Sequence, residues 1–449
     1  MKRKIYSKLQ EWKERWQGRV AVLVDGARRT GKSYIVEEFA RKEYRSYILI
    51  DFNNTSRQVK ELFEEHLSDL NTFFQRLSLM LNVRLWERQS VIIFDEVQQF
   101  PRARAAIKYL VADGRYDYIE TGSLVSINKN VKDIVIPSEE LHLDMHPMDF
   151  EEFLWAMGED MLMPFIRDCF EHKQPLGNAL HRKAMELLRQ YIIVGGMPQA
   201  VAAYAESHDF ALVDGIKRSI LKLYRSDISK YAEGAEQKVT RIFDQLPSQL
   251  QRHEKRFRIG NVAHGARMRD YENAFFWLDE SRVVNVCYQA TEPSIGLNLN
   301  RNDSKFKLYM ADTGLLISLA FNERVINSEQ IYKKLMFDKL ELNKGMLTEN
   351  IVAQMLRASG QQLFFFSSYS REAEDRMEID FLIRKPSVSN RHNIIPIEVK
   401  SGKGYQLTSL NKCLRKYGQF ITTPIVIHTG DLHQDDGITF IPLYMTPLL

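Results

Sequence analysis

The chain has 449 residues, 44% of them hydrophobic and 27% charged, with a formal net charge of +4. This is a globular composition with room for two to four domains, and so small a net charge excludes a global basic field as a signature of nucleic-acid binding. Cys169, Cys287 and Cys413 are odd in number and far apart, which excludes a disulfide framework, shows no metal-ligand spacing and fits a reducing compartment.

Met1-Lys2-Arg3-Lys4 is a basic start with no apolar core of a signal peptide behind it. No apolar run reaches the length of a membrane span, so a cytoplasmic protein without a membrane partner is expected. Ile5, Leu9, Trp12 and Trp16 then recur at helical spacing and predict a short amphipathic helix.

The apolar run from Ala21 to Asp25 stops at a glycine and opens into Gly26-Ala27-Arg28-Arg29-Thr30-Gly31-Lys32-Ser33-Tyr34. This is the order strand, phosphate loop, helix. Glycines let the backbone wrap an anion, and the loop N–H groups with the helix N-terminus supply positive potential to phosphate. Lys32 is expected to reach the β- and γ-phosphates, and the Ser33 hydroxyl to hold Mg²⁺. ATP and Mg²⁺ are therefore the expected cofactors, with Gly26 to Tyr34 as the nucleotide-binding residues.

A helix is predicted over 34–44, a second buried strand over 47–52, and one long helix over 57–82 after a capping turn at Asn53-Asn54-Thr55-Ser56. Ser90-Val91-Ile92-Ile93-Phe94-Asp95-Glu96 reads as a central parallel strand with acids at its C-terminal end, the end at which α/β sheets bind ligands. Asp95 is expected to hold Mg²⁺ through water and Glu96 to polarise the attacking water, which suits ATP hydrolysis. The next strand ends at Thr121-Gly122-Ser123. Thr121 or Ser123 would touch the γ-phosphate at the sensor position of AAA-type ATPases; ordinary polar strand termination is the other reading. The cation on the γ-phosphate is open among Arg28, Arg29, Arg102, Arg104, Arg115 and an arginine of a neighbouring subunit in a homo-oligomer.

A proline break at Pro147 leads out of a first domain over 1–150 into a helical lid over 151–235. There Gly195-Gly196-Met197-Pro198 ends one helix and opens the next, a structural role. Residues 236–312 read as three helices and a hairpin, the order of a winged helix. Arg252, Lys255, Arg256, Arg258, Arg267 and Arg269 stand there against Glu254, which fits phosphate contacts on DNA; protein packing is the plainer alternative.

The last domain, 313–449, carries Glu349 on a helix, Asp380 within a strand, and Glu398-Val399-Lys400 on the next. Residues two apart on a strand share a face, so Glu398 and Lys400 point the same way beside Asp380. Asp380 and Glu398 would bind Mg²⁺, Lys400 would stabilise the attacking hydroxide, and Glu349 would orient water or a second ion.

The set Glu349, Asp380, Glu398, Lys400 resembles the PD-(D/E)xK nuclease superfamily, whose fold is restriction-endonuclease-like. Together with Gly26–Ser33, Ile92–Glu96, Gly195–Pro198 and Lys307–Leu316 it resembles a bacterial and archaeal family of AAA-type ATPases with such a C-terminal half. The resemblance implies an α/β chain: an AAA-like P-loop NTPase sheet, a helical lid, a winged helix and a nuclease-like α/β domain. It implies an ATPase coupled to DNA binding and to Mg²⁺-dependent cleavage, in DNA processing or defence against mobile DNA. A structural ion pair, nucleic-acid binding without cutting, and a nucleotide-gated protein-binding scaffold are the other readings of the same residues.

Overall fold

The computed structural model describes residues 1–122, 139–232, 234–252, 256–262, 265–294, 296–321, 336, 344–370, 372–385, 393–402 and 404–449. It divides into two compact units, Met1–His146 and Pro147–Leu449.

The N-terminal unit runs α1 (Ile5–Trp16), β1 (Ala21–Asp25), α2 (Lys32–Glu43), β2 (Ser46–Asp51), α3 (Arg57–Glu65), α4 (Leu70–Leu81), β3 (Ser90–Asp95), α5 (Pro101–Asp113), β4 (Asp117–Gly122) and β5 (Glu140–Asp144). Its five strands lie in the order β2-β3-β4-β1-β5, all parallel. Side-chain alternation on β3 serves two cores. Val91 and Ile93 face Val22, Val24, Ile35 and Phe39 on the α1–α2 side, while Ile92 and Phe94 face Phe52, Phe63, Phe73 and Leu110 on the other. A strand buried on both faces reads as a continuous apolar run, which is why β3 was legible.

Two expectations are corrected here. The long helix over 57–82 is two helices, because the Asp69 side chain accepts from the N–H groups of Asn71 and Thr72 and starts a new one. The stretch before Pro147 is strand β5, paired with β1, so the unit ends at His146.

The second unit opens with helices α6 (Phe150–Ala156), α7 (Leu162–Glu171), α8 (Asn178–Val194), α9 (Pro198–Ser207), α10 (Phe210–Tyr231), α11 (Glu236–Leu250) and α12 (Glu272–Glu280). There follow β6 (Val284–Ala290), β7 (Arg301–Met310), α13 (Thr313–Ala320), α14 (Lys344–Ala358), β8 (Phe364–Ser368), β9 (Met377–Arg384), β10 (Ile394–Val399), α15 (Thr408–Tyr417), β11 (Ile425–His428), β12 (His433–Asp435) and β13 (Ile438–Pro442). One mixed sheet of eight strands takes the order β12-β13-β11-β10-β9-β8-β6-β7.

That sheet overturns the expected boundary between 236–312 and 313–449. β6 pairs with β7 on one side and with β8, in parallel, on the other. Both of its edges are hydrogen-bonded, so the hairpin read as a wing is part of the C-terminal sheet rather than a free edge. The helix expected over 266–278 is a 3₁₀ turn, Met268–Tyr271, followed by α12. Arg252, Arg258, Arg267 and Arg269 are exposed and Arg256 partly so; Lys255 and Glu254 lie outside the described residues.

The paired glycines are structural, as expected, for a sharper reason than helix termination. A Cβ on Gly195 would meet the Asp312 carboxylate at 2.3 Å, and one on Gly196 would meet Met148 O at 2.1 Å. Asp312 accepts from Gly196 N at 2.5 Å and from Leu315 N at 2.8 Å. The end of α8 and the start of α13 are thereby fastened to each other.

Candidate active sites

In the N-terminal unit the loop between β1 and α2 closes on itself. Lys32 is buried and donates from Nζ to Gly26 O at 3.0 Å and Ala27 O at 3.1 Å. Desolvation lowers its pKa, while Glu96, Asp25 and Asp95 pull it back up. Thr30 Oγ1 bonds Ala27 O at 2.8 Å across the loop. Gly31, with φ of 91°, holds the left-handed corner that starts α2. Arg29 takes φ of 70° at a non-glycine position, a conformation that costs of order 1–3 kcal/mol and collects at functional sites. Arg28, Arg29 and Tyr34 are exposed at the mouth of the loop, and Ala27 and Thr30 are buried beneath it.

Parallel pairing brings the other side chains to the same end. Ser33 Oγ donates to Asp95 Oδ1 at 2.7 Å. Thr121 Oγ1 donates to that same carboxylate oxygen. Glu96 follows β3 with φ of 53°, and its N–H donates to Thr121 Oγ1 at 3.3 Å. Gln98, which sequence reasoning missed, donates from Nε2 to Glu96 Oε2 at 2.5 Å. Ser33, Asp95, Glu96 and Thr121 thus converge as expected; Ser123 lies outside the described residues. Two hard oxygen donors meeting at a strand end fit Mg²⁺.

The three arginines after the acid pair are engaged elsewhere. Arg102 Nε donates to Phe63 O at 3.1 Å, Arg104 Nη2 pairs with Glu140 at 3.0 Å, and Arg115 grips Asp113 at 2.7 and 2.8 Å.

In the C-terminal unit the sequence-predicted set also meets. Strand register places Ile397 opposite Phe381, so Asp380 falls opposite Glu398. Asp380 Oδ2 accepts from Val399 N at 2.8 Å, and Lys400 Nζ pairs with Glu398 Oε2 at 2.5 Å. Lys400 sits one residue past β10 and extends the sheet through its N–H to Ile427 O at 2.8 Å. Tyr309 donates to Glu349 Oε2 at 3.1 Å, and Lys307 pairs with Glu378 at 2.8 Å. Lys307, Tyr309 and Glu378 were not predicted as site residues; the lysine on an otherwise apolar strand, Phe306-Lys307-Leu308-Tyr309, was the available signal.

Burial and the facing Glu349 carboxylate push Asp380 up to about 7, against the pull of Lys307. Burial also raises Glu398, opposed by Lys400. For Lys400 and Lys307 burial works against the charge, yet the surrounding carboxylates win and both are raised. Glu398 Oε1 is buried and, among the described residues, without a hydrogen-bond partner, an atom suited to a cation. Among the described residues, no group of three or more His, Cys, Asp or Glu side chains is gathered so as to hold a metal ion.

Strand, phosphate loop, helix and an acid-tipped strand one place removed in the same parallel sheet define a P-loop NTPase fold. Residues 18–154 match the family model of an AAA domain, and the N-terminal unit is accordingly an AAA-type P-loop ATPase domain. Residues 185–325 and 344–446 match two domains of unknown function, DUF8612 and DUF4143. No curated protein matches the chain. Among solved structures, the chain is similar to a Walker-type ATPase of Pyrococcus abyssi at 18% identity, over 71% of this chain and 95% of that one, with a TM-score of 0.41. It is also similar to PCH-2 of C. elegans (14% identity, 46% and 61% covered, TM-score 0.25). A third likeness is to Cdc6p of Pyrobaculum aerophilum (11% identity, 75% and 94% covered, TM-score 0.25). No described helix is long and apolar enough to cross a membrane.

Proposed function

We propose that the chain hydrolyses ATP with Mg²⁺, using Lys32 on the β- and γ-phosphates, Ser33 and Asp95 on the ion, Glu96 as the base that orients water, and Thr121 as the sensor. The carrying observation is the shared carboxylate: Ser33 and Thr121, on different elements, both donate to Asp95 Oδ1. The ion, when bound, would withdraw charge from the transferred phosphoryl group. The protein's own part is geometric. The loop N–H groups hold the phosphates, Gln98 steadies Glu96, and Thr121 links the Glu96 backbone to Asp95, so that nucleotide contacts and water are aligned together. Lys32→Ala is expected to lower turnover about 10²–10³-fold. Glu96→Gln should bind ATP and hydrolyse it about 10²–10⁴-fold more slowly. A coupled phosphate-release assay checks both, and undiminished hydrolysis in both variants rejects these roles.

A second reading concerns the C-terminal unit: DNA binding through Arg256, Arg258 and Arg269, with Mg²⁺-dependent cleavage by Asp380, Glu398, Lys400 and Glu349. The buried Glu398 Oε1, without a hydrogen-bond partner among the described residues, favours it, and the salt-bridged lysines favour a scaffold instead. Asp380→Ala and Lys400→Ala should abolish nicking of plasmid DNA in Mg²⁺ while sparing ATP turnover. A wild-type chain that cuts neither single-strand, duplex nor branched DNA favours the scaffold.

A further inference from the structure

The chain leaves the N-terminal unit through the peptide that follows β5, and this peptide is fastened to the phosphate loop. Met145 N–H donates to Asp25 O at 2.7 Å, directly before the loop. At the loop's first residue, a Cβ on Gly26 would lie 2.2 Å from Met145 O, so only glycine admits this approach. Arg3 supplies the third tie. Its Nη1 donates to Thr30 O and its Nη2 to His146 O, each at 2.8 Å. Arg3 is 8% exposed. It lies outside the stretch matched by the AAA domain model, residues 18–154.

We infer that Arg3 is a positioning residue of the nucleotide site, and that it joins the phosphate loop to His146, the last residue of the unit. A guanidinium is a rigid planar fork, so two carbonyls held by its two terminal nitrogens keep a fixed separation. One of them belongs to the Thr30–Gly31 peptide. Because that peptide is planar and trans, anchoring its oxygen on one side sends the Gly31 N–H to the other. That N–H is among those that must face a phosphate for the loop to bind it. The second carbonyl belongs to the outgoing peptide. A loop that shifts when phosphate enters therefore shifts His146 through Arg3 and Met145 through Gly26. The N-terminal segment is thus part of the nucleotide site, and the outgoing peptide responds to nucleotide.

This inference rests on the ATP-binding reading, and one set of measurements separates the two. The fluorescent nucleotide mant-ADP with Mg²⁺ is titrated into the full chain and into Arg3→Ala, Arg3→Lys and Arg3→Gln. Loss of a charged donor pair should weaken binding about tenfold in Arg3→Ala, with Arg3→Lys in between. The same deficit should appear in KM for ATP, with kcat at saturation within about twofold. Hydrogen exchange at the Met145 amide should slow on ADP addition in wild type and not in Arg3→Ala. Should Arg3→Ala fail to fold, the lysine and glutamine variants carry the same comparison. Equal affinity in wild type and all folded variants, or a wild-type Met145 amide indifferent to ADP, overturns the inference alone. No mant-ADP binding by folded wild type overturns the ATP reading beneath it.

Discussion

Asp95 in the N-terminal unit and Glu398 in the C-terminal unit each stand at or near the end of a buried strand, yet opposite chemistry holds them. Asp95 is gripped by the hydroxyls of Ser33 and Thr121. Glu398 is gripped by an ammonium, that of Lys400, and Glu378 by another, that of Lys307. Hydroxyls satisfy hydrogen bonds without cancelling charge, so the bonds that hold the Asp95 carboxylate are neutral, and the Lys32 ammonium acts on it only through space. Lysines cancel charge from within. The C-terminal cluster is therefore stabilised internally, and a metal ion there competes with the protein's own cations. A built-in cation makes a site costly to dismantle; a neutral partner makes it cheap to dismantle and decisive for chemistry.

The sharpest way to break this contrast is at Lys307. Its ammonium is 1% exposed and bridges β7 to Glu378 on β9. Lys307→Met removes a buried ammonium from a carboxylate that solvent partly reaches, and is expected to lower stability by about 2–3 kcal/mol. Adding Glu378→Gln to that variant should recover part of the loss. Urea unfolding read by tryptophan fluorescence measures both, and a loss of under about 1 kcal/mol would show that the pair holds little. The matching change in the other unit is Ser33→Ala. It should cost less than about 1.5 kcal/mol in stability while reducing ATP turnover about 10²-fold. If Ser33→Ala unfolds the unit as readily as Lys307→Met, hydroxyl and ammonium partners are not doing different jobs.

The same contrast explains what could be read from the sequence. The parts of the candidate nucleotide site were legible because they are short local strings: Gly26 to Ser33 is one loop, and Val91 to Glu96 is one strand with its tip. Lying in one parallel sheet, with β4 between them, brings their C-terminal ends to the same edge. Thr121 was legible as a strand end, but not its bond to Asp95, which depends on the β3–β4 register. In the C-terminal unit Asp380, Glu398 and Lys400 were found because charges at period two in apolar strands need a reason. Lys307 and Tyr309 were not, because β7 joins that cluster through tertiary contacts, with Lys307 and Glu378 71 residues apart along the chain. The wing reading failed for a related reason. Local pattern shows that β6 and β7 are strands, and says nothing of β8 arriving on the free edge of β6.

The smallest expected effect separates the two sites by the sign of their response to pH. Asp380 sits near 7 in the folded chain against an ordinary value of 3.8. The folded state therefore binds more protons than the unfolded state between those values, and stability falls as pH rises from about 4 to about 7. Above that window the unfavourable term is fully present and the curve is flat in this group. Lys32 runs the other way: its folded pKa is lowered by desolvation, so its charged form costs stability below the folded value and the cost fades as pH rises. Asp380 retains some solvent exposure, so its effect is discounted for screening. Asp380→Asn should flatten the fall in stability between pH 4 and 7 and so relieve the alkaline side of this cost, leaving only the slope above pH 7 unchanged. Urea unfolding at pH 5 and pH 8 measures it. In wild type Mg²⁺ should restore stability more at pH 8 than at pH 5, because the ionised carboxylate is the form that needs a cation; in Asp380→Asn that difference should vanish. A Mg²⁺ effect equal in both proteins would place the ion at Ser33 and Asp95 alone, and the lysines would then be the only cations the C-terminal cluster holds.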